Sequence, residues 1–265
     1  MKKIDKRKLK IDPESIKVKI ENFIRKKVEE AKATGIVIGL SGGIDSTTVA
    51  SLCKSALGAD RVLGLIIPSK NTTDEDIRDA KNFANQLNID TKSINISGLE
   101  EQFESFLNYD KQIDRVAIGN ILPRLRMTIL YFHANSMNRL VAGTGNKSEL
   151  LIGYFTKYGD GGVDILPIGD LYKTQVRQLA KYLGIPKNLI WKVPTAGLLE
   201  NQTDENEIGL KYELLDLALY GLNELKLSIS ELTKELSIST NDAKRIMNMM
   251  VKNRHKLETP AIAKL

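Results

Sequence analysis

One short segment constrains the fold of this chain more than any other. Ile36-Val37-Ile38-Gly39-Leu40 carries no polar side chain. A run this short and this apolar reads as a strand buried on both faces, the habit of parallel sheets flanked by helices. It passes directly into Ser41-Gly42-Gly43-Ile44-Asp45-Ser46 and then into a helical pattern over residues 46–57, stopped by Gly58. A strand, a glycine turn and a helix in that order open a βαβ unit.

The alternation continues. Asp12-Pro13-Glu14 supplies an N-cap, a first-position proline and an acidic first turn for a helix to about Lys32, and Gly35 follows it. Residues 61–67 read as a second buried strand closed by Pro68, and Thr73 caps a helix over 74–88 with Ile77, Ala80, Ala84 and Leu87 on one face. Residues 90–96 alternate as a third, more polar strand. Helical patterns over 99–108 and 114–137, the latter interrupted at Pro123, precede a fourth strand at 140–143. From Lys173 onward the patterns are helical only, over 173–183, 207–220, 228–236 and 241–255, with the polar stretch 200–206 read as a mobile loop. The expectation is one α/β domain over residues 1–265. It has a doubly wound, mostly parallel sheet with helices on both faces, a helical C-terminal third and a basic tail at 1–12.

Composition excludes several classes. A single Cys permits no internal disulfide and favours a cytoplasmic location. No stretch approaches the ~20 apolar residues of a membrane span, so no membrane partner is expected. Nothing resembling a secretory signal follows the basic N-terminus. The net charge of +6 fits a solvated lysine-rich surface as well as attraction of anionic ligands.

The loop after the first strand holds the chemistry. Adjacent glycines let backbone N–H groups approach a ligand, the helix N-terminus favours an anion, and Ser41 and Ser46 add hydroxyl donors. Asp45 repels phosphate unless a Mg²⁺ lies between them; the plain reading makes it a helix N-cap. The segment lacks the Gly-Lys-Ser/Thr ending of a Walker A loop, and Gly143-Thr144-Gly145-Asn146-Lys147-Ser148 ends in Ser where a dinucleotide fingerprint needs a small apolar residue. Further along, Glu149 opens a helix after the fourth strand. The run Tyr154-Phe155-Thr156-Lys157-Tyr158-Gly159-Asp160-Gly161-Gly162-Val163-Asp164 has the make-up of a binding loop. Lys173 sits in a helix's first turn, where a cation opposes the dipole and so answers a bound anion. His133 reads as a packed core histidine, Cys53 as core, Trp191 as a helix-end or interface aromatic, and Met247, Met249 and Met250 as packing residues.

Ser41-Gly42-Gly43-Ile44-Asp45-Ser46 resembles the loop of the N-type ATP pyrophosphatases, and Thr156-Lys157-Tyr158-Gly159-Asp160-Gly161-Gly162-Val163-Asp164-Ile165 resembles the signature of the ammonia-dependent NAD synthetases. That resemblance extends from about Ile11 to the C-terminus. It implies an adenine nucleotide alpha-hydrolase-like fold and a ligase that amidates deamido-NAD with ammonia through an acyl-adenylate, giving NAD, AMP and pyrophosphate. It places Gly39, Leu40, Ser41, Gly42, Gly43, Ile44, Asp45, Ser46, Thr144, Lys173 and Thr195 at ATP, and Asp45 and Glu149 at Mg²⁺. It places Arg124, Lys157, Asp164, His255 and Lys256 at deamido-NAD. Asp45, Lys173 and Asp164 are the expected catalytic side chains, with Asp164 favoured over Asp160 as the carboxylate that takes the proton of ammonium. Members form homodimers, which suits the apolar positions Val116, Ile118, Ile121, Leu125 and Ile129. Two departures stand out: Leu122-Pro123-Arg124 replaces a common Lys-Ala-Arg, and Gly197 replaces an acid. The chain leaves no room for a glutamine amidase domain, so free ammonia is the expected donor. Two rival readings are a tRNA-modifying pyrophosphatase, for which the chain lacks a catalytic Cys pair or RNA-binding domain, and a non-catalytic nucleotide binder, which has less need of Asp45 and Glu149. No nucleic-acid partner is expected.

Overall fold

The computed structural model describes residues 4–107, 115–195 and 203–264. Strands β1 (Gly35–Gly39), β2 (Val62–Ile66), β3 (Asp90–Ser93) and β4 (Arg139–Ala142) form a parallel sheet in the order β3-β2-β1-β4. Ile36 pairs with Val62 on one side and Leu140 on the other, so β1 is central. The chain steps outward from β1 through β2 to β3, then returns to lay β4 against the other edge of β1. That reversal is the topological switch point, where ligands bind at the carboxyl ends of the strands.

The helices are α1 (Pro13–Glu30), α2 (Ile44–Leu57), α3 (Asp74–Leu87), α4 (Ser97–Phe106), α5 (Arg115–Gly119), α6 (Ile121–Ser136), α7 (Lys147–Ile152), α8 (Lys173–Tyr182), α9 (Lys187–Ile190), α10 (Asp204–Ile208), α11 (Tyr212–Asn223), α12 (Ile229–Leu236) and α13 (Thr240–Asn253). The two-residue period of the strands explains the layering. Ile36, Ile38, Val62 and Ile66 pack with α1, α2, α3 and α8, whereas Val37, Leu63, Leu65 and Val141 pack with Leu122 and Ala134 of α6. β3 is the polar edge, exposed along its length. A third apolar cluster joins α11, α12 and α13 to Ile152 and Tyr172. Among the described residues no helix is long and apolar enough to cross a membrane.

Several boundaries depart from expectation. The break in the 114–137 pattern falls at Asn120, not at Pro123. Pro123 is the third residue of α6, where a missing N–H breaks no intrahelical bond. The 207–220 pattern divides at Gly209, whose φ of +75° ends α10 before α11 begins. Residues 203–206 are not loop: Thr203 caps α10. The basic N-terminal stretch is not a free tail, because Ile4 and Leu9 are buried in the cluster of α11 and α12. His133 is half-buried on α6, edge-on to Phe132 at 5.2 Å, and is no core residue. Cys53 is fully buried.

Candidate active site

The loop leaving β1 is held by its own hydroxyls. Ser46 Oγ donates to the Gly43 carbonyl at 3.1 Å and lies 3.1 Å from Ser41 Oγ, while the Gly43 N–H donates to Ser41 Oγ at 3.3 Å. Gly42 has φ +76°, and a Cβ there would lie 2.6 Å from the Asp76 carbonyl oxygen at the start of α3. Only glycine fits. Leu40 and Ile44 are buried supports, and Gly39 ends the strand. Gly43, not Asp45, caps α2. Asp45 sits one position into the helix and turns its carboxylate outward to two partners from elsewhere in the chain: Asn146 Nδ2, which donates to Asp45 Oδ1 at 3.3 Å, and the Lys173 ammonium, which donates to Asp45 Oδ2.

The loop after β4 supplies the opposite wall. Thr144 is half-buried at its start. Asn146 and Glu149 make a capping box around the first turn of α7, with Glu149 N–H donating to Asn146 Oδ1 and Asn146 N–H to Glu149 Oε2, each at 3.1 Å. This fixes the other Glu149 oxygen 3.3 Å from Lys173 Nζ. Lys173 opens α8 and is 2% exposed, its ammonium 5.2 Å above the Tyr212 ring. Burial alone disfavours its charge; the Asp45 and Glu149 carboxylates outweigh that and hold its pKa above the ordinary lysine value. Burial pushes the Glu149 carboxyl well above the carboxylate range, against the pull of the same ammonium.

A buried relay sets Lys173. Its N–H donates to Ser148 Oγ at 2.9 Å, Ser148 donates to Asp216 Oδ1 at 2.5 Å, and the other Asp216 oxygen accepts the Thr174 N–H at 2.8 Å. Asp216 and Ser148 are inaccessible to solvent. Tyr212 in turn donates to Asp204 Oδ2 at 3.1 Å. Sequence reasoning missed Asn146, Ser148, Tyr212, Asp204 and Asp216. Only the Asn146-x-x-Glu149 box had a readable signal.

The residues expected at deamido-NAD gather through main-chain carbonyls. Arg124 Nη2 donates to the Lys157 carbonyl at 3.4 Å, Lys157 Nζ to the His255 carbonyl at 2.6 Å, and Lys256 Nζ to the carbonyls of Gly153 and Phe155 at 2.7 and 2.9 Å. His255 itself is exposed in a turn after α13. Asp164 stands apart from them: its Oδ2 accepts the Val141 N–H of β4 at 2.7 Å and its Oδ1 the Tyr131 hydroxyl at 3.0 Å. Thr195 is exposed at the end of the segment after α9, and Gly197 lies outside the described residues.

Fold and site define an α/β protein that presents a glycine loop, backed by two carboxylates and a buried lysine, at the switch point of a parallel sheet. The NAD synthase family profile matches residues 16–260. The NH(3)-dependent NAD(+) synthetase of Archaeoglobus fulgidus is 48% identical over 253 residues, covering 95% of this chain and 97% of that one. The enzyme of the same name from Methanocaldococcus jannaschii is 49% identical over 249 residues, covering 93% and 95%. Among solved structures, NMN synthetase from Francisella tularensis superposes with a TM-score of 0.84 at 36% identity, covering 97% of this chain and 100% of that one. NH3-dependent NAD synthetase from Campylobacter jejuni superposes at 0.81 and 33% identity, covering 96% and 100%. The chain belongs to the NAD synthase family, ligase-type enzymes that form NAD.

Proposed function

We propose that this chain amidates deamido-NAD with ammonia at the expense of ATP, releasing NAD, AMP and pyrophosphate. The observation that carries the reading is the convergence of Asp45 and Glu149, from the loops after β1 and β4, on one buried ammonium at the mouth of the Gly42-Gly43 loop. A carboxylate must be activated before ammonia can displace its oxygen, and adenylation does this. The nicotinate carboxylate attacks the α-phosphorus and pyrophosphate leaves; ammonia then adds to the acyl carbon and AMP leaves with the attacking oxygen.

We assign the roles from the family resemblance together with the charges of the site. N–H groups of residues 41–44 and the hydroxyls of Ser41 and Ser46 hold the phosphates at the α2 N-terminus. Lys173 offsets charge on the phosphates, with Thr144 and Thr195 flanking the nucleotide. Arg124, Lys157, His255 and Lys256 form the deamido-NAD wall, and Asp164 faces the ammonium. Asp45 and Glu149 fit a Mg²⁺, because two hard carboxylates already hold a cation between them. When bound, that ion supplies charge neutralisation at the transferring phosphorus. Exposed Phe106, Val116 and Phe132, on α4, α5 and α6, suit a homodimer, and the single Cys suits a cytoplasmic location.

The test is to incubate the protein with ATP, Mg²⁺, ammonium and deamido-NAD or nicotinate mononucleotide. NAD and AMP in equal amounts, with the dinucleotide preferred, is the expected result. ADP in place of AMP, or amidation of the mononucleotide alone, overturns it.

A further inference from the structure

Lys192 joins parts of the molecule that the reaction needs together. It lies just beyond α9, and its ammonium bonds Asp76 Oδ1 at 2.7 Å and Asp79 Oδ2 at 2.6 Å, both on α3. The three side chains are only 17–22% exposed, so the contact is more than a solvated surface pair. Asp76 is also the return partner of Thr73 in the α3 capping box: its N–H donates to Thr73 Oγ1 at 3.1 Å, and its Oδ2 accepts the Thr73 N–H at 3.3 Å and the Thr73 hydroxyl at 2.7 Å. Its backbone is therefore fixed, and the Asp76 carbonyl is the surface on which Gly42 rests. On its other side Lys192 leads through Pro194, whose carbonyl accepts the Asp204 N–H at 3.0 Å, to Thr195. One cation thus fastens the floor of the loop at Gly42 to the segment carrying Thr195.

Charge sharpens the point. Asp74, Glu75 and Asp76 open α3, Asp79 follows one turn later, and the Asp76 backbone lies against Gly42 of the loop. Carboxylates there oppose a triphosphate unless a cation offsets them. Lys192 meets two of these carboxylates, Asp76 and Asp79.

We propose that Lys192 is a positioning residue for ATP, holding the Asp76 backbone beneath Gly42 and screening Asp76 and Asp79 from the bound phosphates. This rests on the reading of residues 39–46 as the ATP loop.

Calorimetric titration of the full chain with ATP, and separately with deamido-NAD, tests it. Lys192→Met is expected to weaken ATP about tenfold, the scale of one lost partly buried charge contact, and to leave deamido-NAD unchanged. Lys192→Arg is expected to retain ATP affinity, and adding Asp79→Asn to Lys192→Met to recover part of it. Wild-type ATP affinity in Lys192→Met overturns the proposal, as does equal loss of both ligands with a lowered melting temperature, which marks a general scaffold role. Should Lys192→Met not fold, Asp79→Asn alone carries the test: tighter ATP agrees, and unchanged or weaker ATP overturns. A wild-type chain that binds no ATP removes the underlying reading instead.

Discussion

Lys173 Nζ stands 3.3 Å from Glu149 Oε1 and also bonds Asp45, so one buried ammonium spans the two loops that meet at the switch point. Lys173 is buried while Asp45 and Glu149 keep a small exposure, and each member depends on the others. Removing one partner of such a set leaves uncompensated charge, at a cost of about 3–5 kcal/mol.

Lys173→Met is therefore expected to lower the melting temperature in chelator and to abolish amidation. It also frees Asp45 and Glu149 for a metal. Mg²⁺ is expected to raise the melting temperature of Lys173→Met more than that of wild type, read by scanning fluorimetry at matched Mg²⁺. An equal rise in both proteins argues against Asp45 and Glu149 as the metal pair.

Gly42→Ala places a methyl group 2.6 Å from the Asp76 carbonyl oxygen at a φ of +76°. The expected destabilisation is about 1–3 kcal/mol, with weaker ATP binding because the loop must shift. Chemical denaturation and nucleotide titration check both. Gly145→Ala, where the nearest side chain lies at 3.5 Å, is the matched control and is expected to be mild.

Asp164 accepts bonds from β4 and Tyr131 on its two oxygens, leaving each oxygen further acceptor capacity toward solvent. If that carboxylate binds ammonium, Asp164→Asn raises the Michaelis constant for ammonium at saturating ATP and deamido-NAD. Tyr131→Phe, which keeps the charge, is expected to change it far less. A rise confined to the deamido-NAD constant assigns Asp164 to substrate binding and removes the proton-acceptor role.

The reading of residues in strand and loop was direct where chemistry is local. Ile36-Val37-Ile38 reads as a buried strand, and a carboxylate inside a glycine-rich turn singles out Asp45. Lys173 was legible as a cation placed against a helix dipole, although the anions it answers proved to be Asp45 and Glu149. What stayed hidden depends on distance along the chain. Ser148 meets Asp216 across 68 residues, and no local pattern distinguishes that aspartate from a solvated one. Ile4 and Leu9 lie among lysines that mask their burial. Gly209 reads as a glycine inside a helix, yet it is the left-handed C-cap of α10, its N–H donating to the Glu205 carbonyl.

The exposed apolar side chains Phe106 (82%), Val116 (74%) and Phe132 (68%) lie on consecutive helices. Exposed apolar side chains of this size suit contact with a second copy of the chain. Light scattering at micromolar concentration is expected to give twice the chain mass, and Val116→Asp with Phe132→Asp to give the single mass. A wild-type monomer contradicts the pairing.

The acyl-adenylate is the centre of the account, and an isotope follows it directly. Deamido-NAD carrying ¹⁸O in its nicotinate carboxylate is turned over with ATP, Mg²⁺ and ammonium, and the products are separated for mass spectrometry. If the carboxylate oxygen attacks the α-phosphorus and ammonia then displaces AMP, one ¹⁸O appears in AMP and none in pyrophosphate. Label in pyrophosphate or inorganic phosphate, or AMP without label beside newly formed NAD, contradicts it.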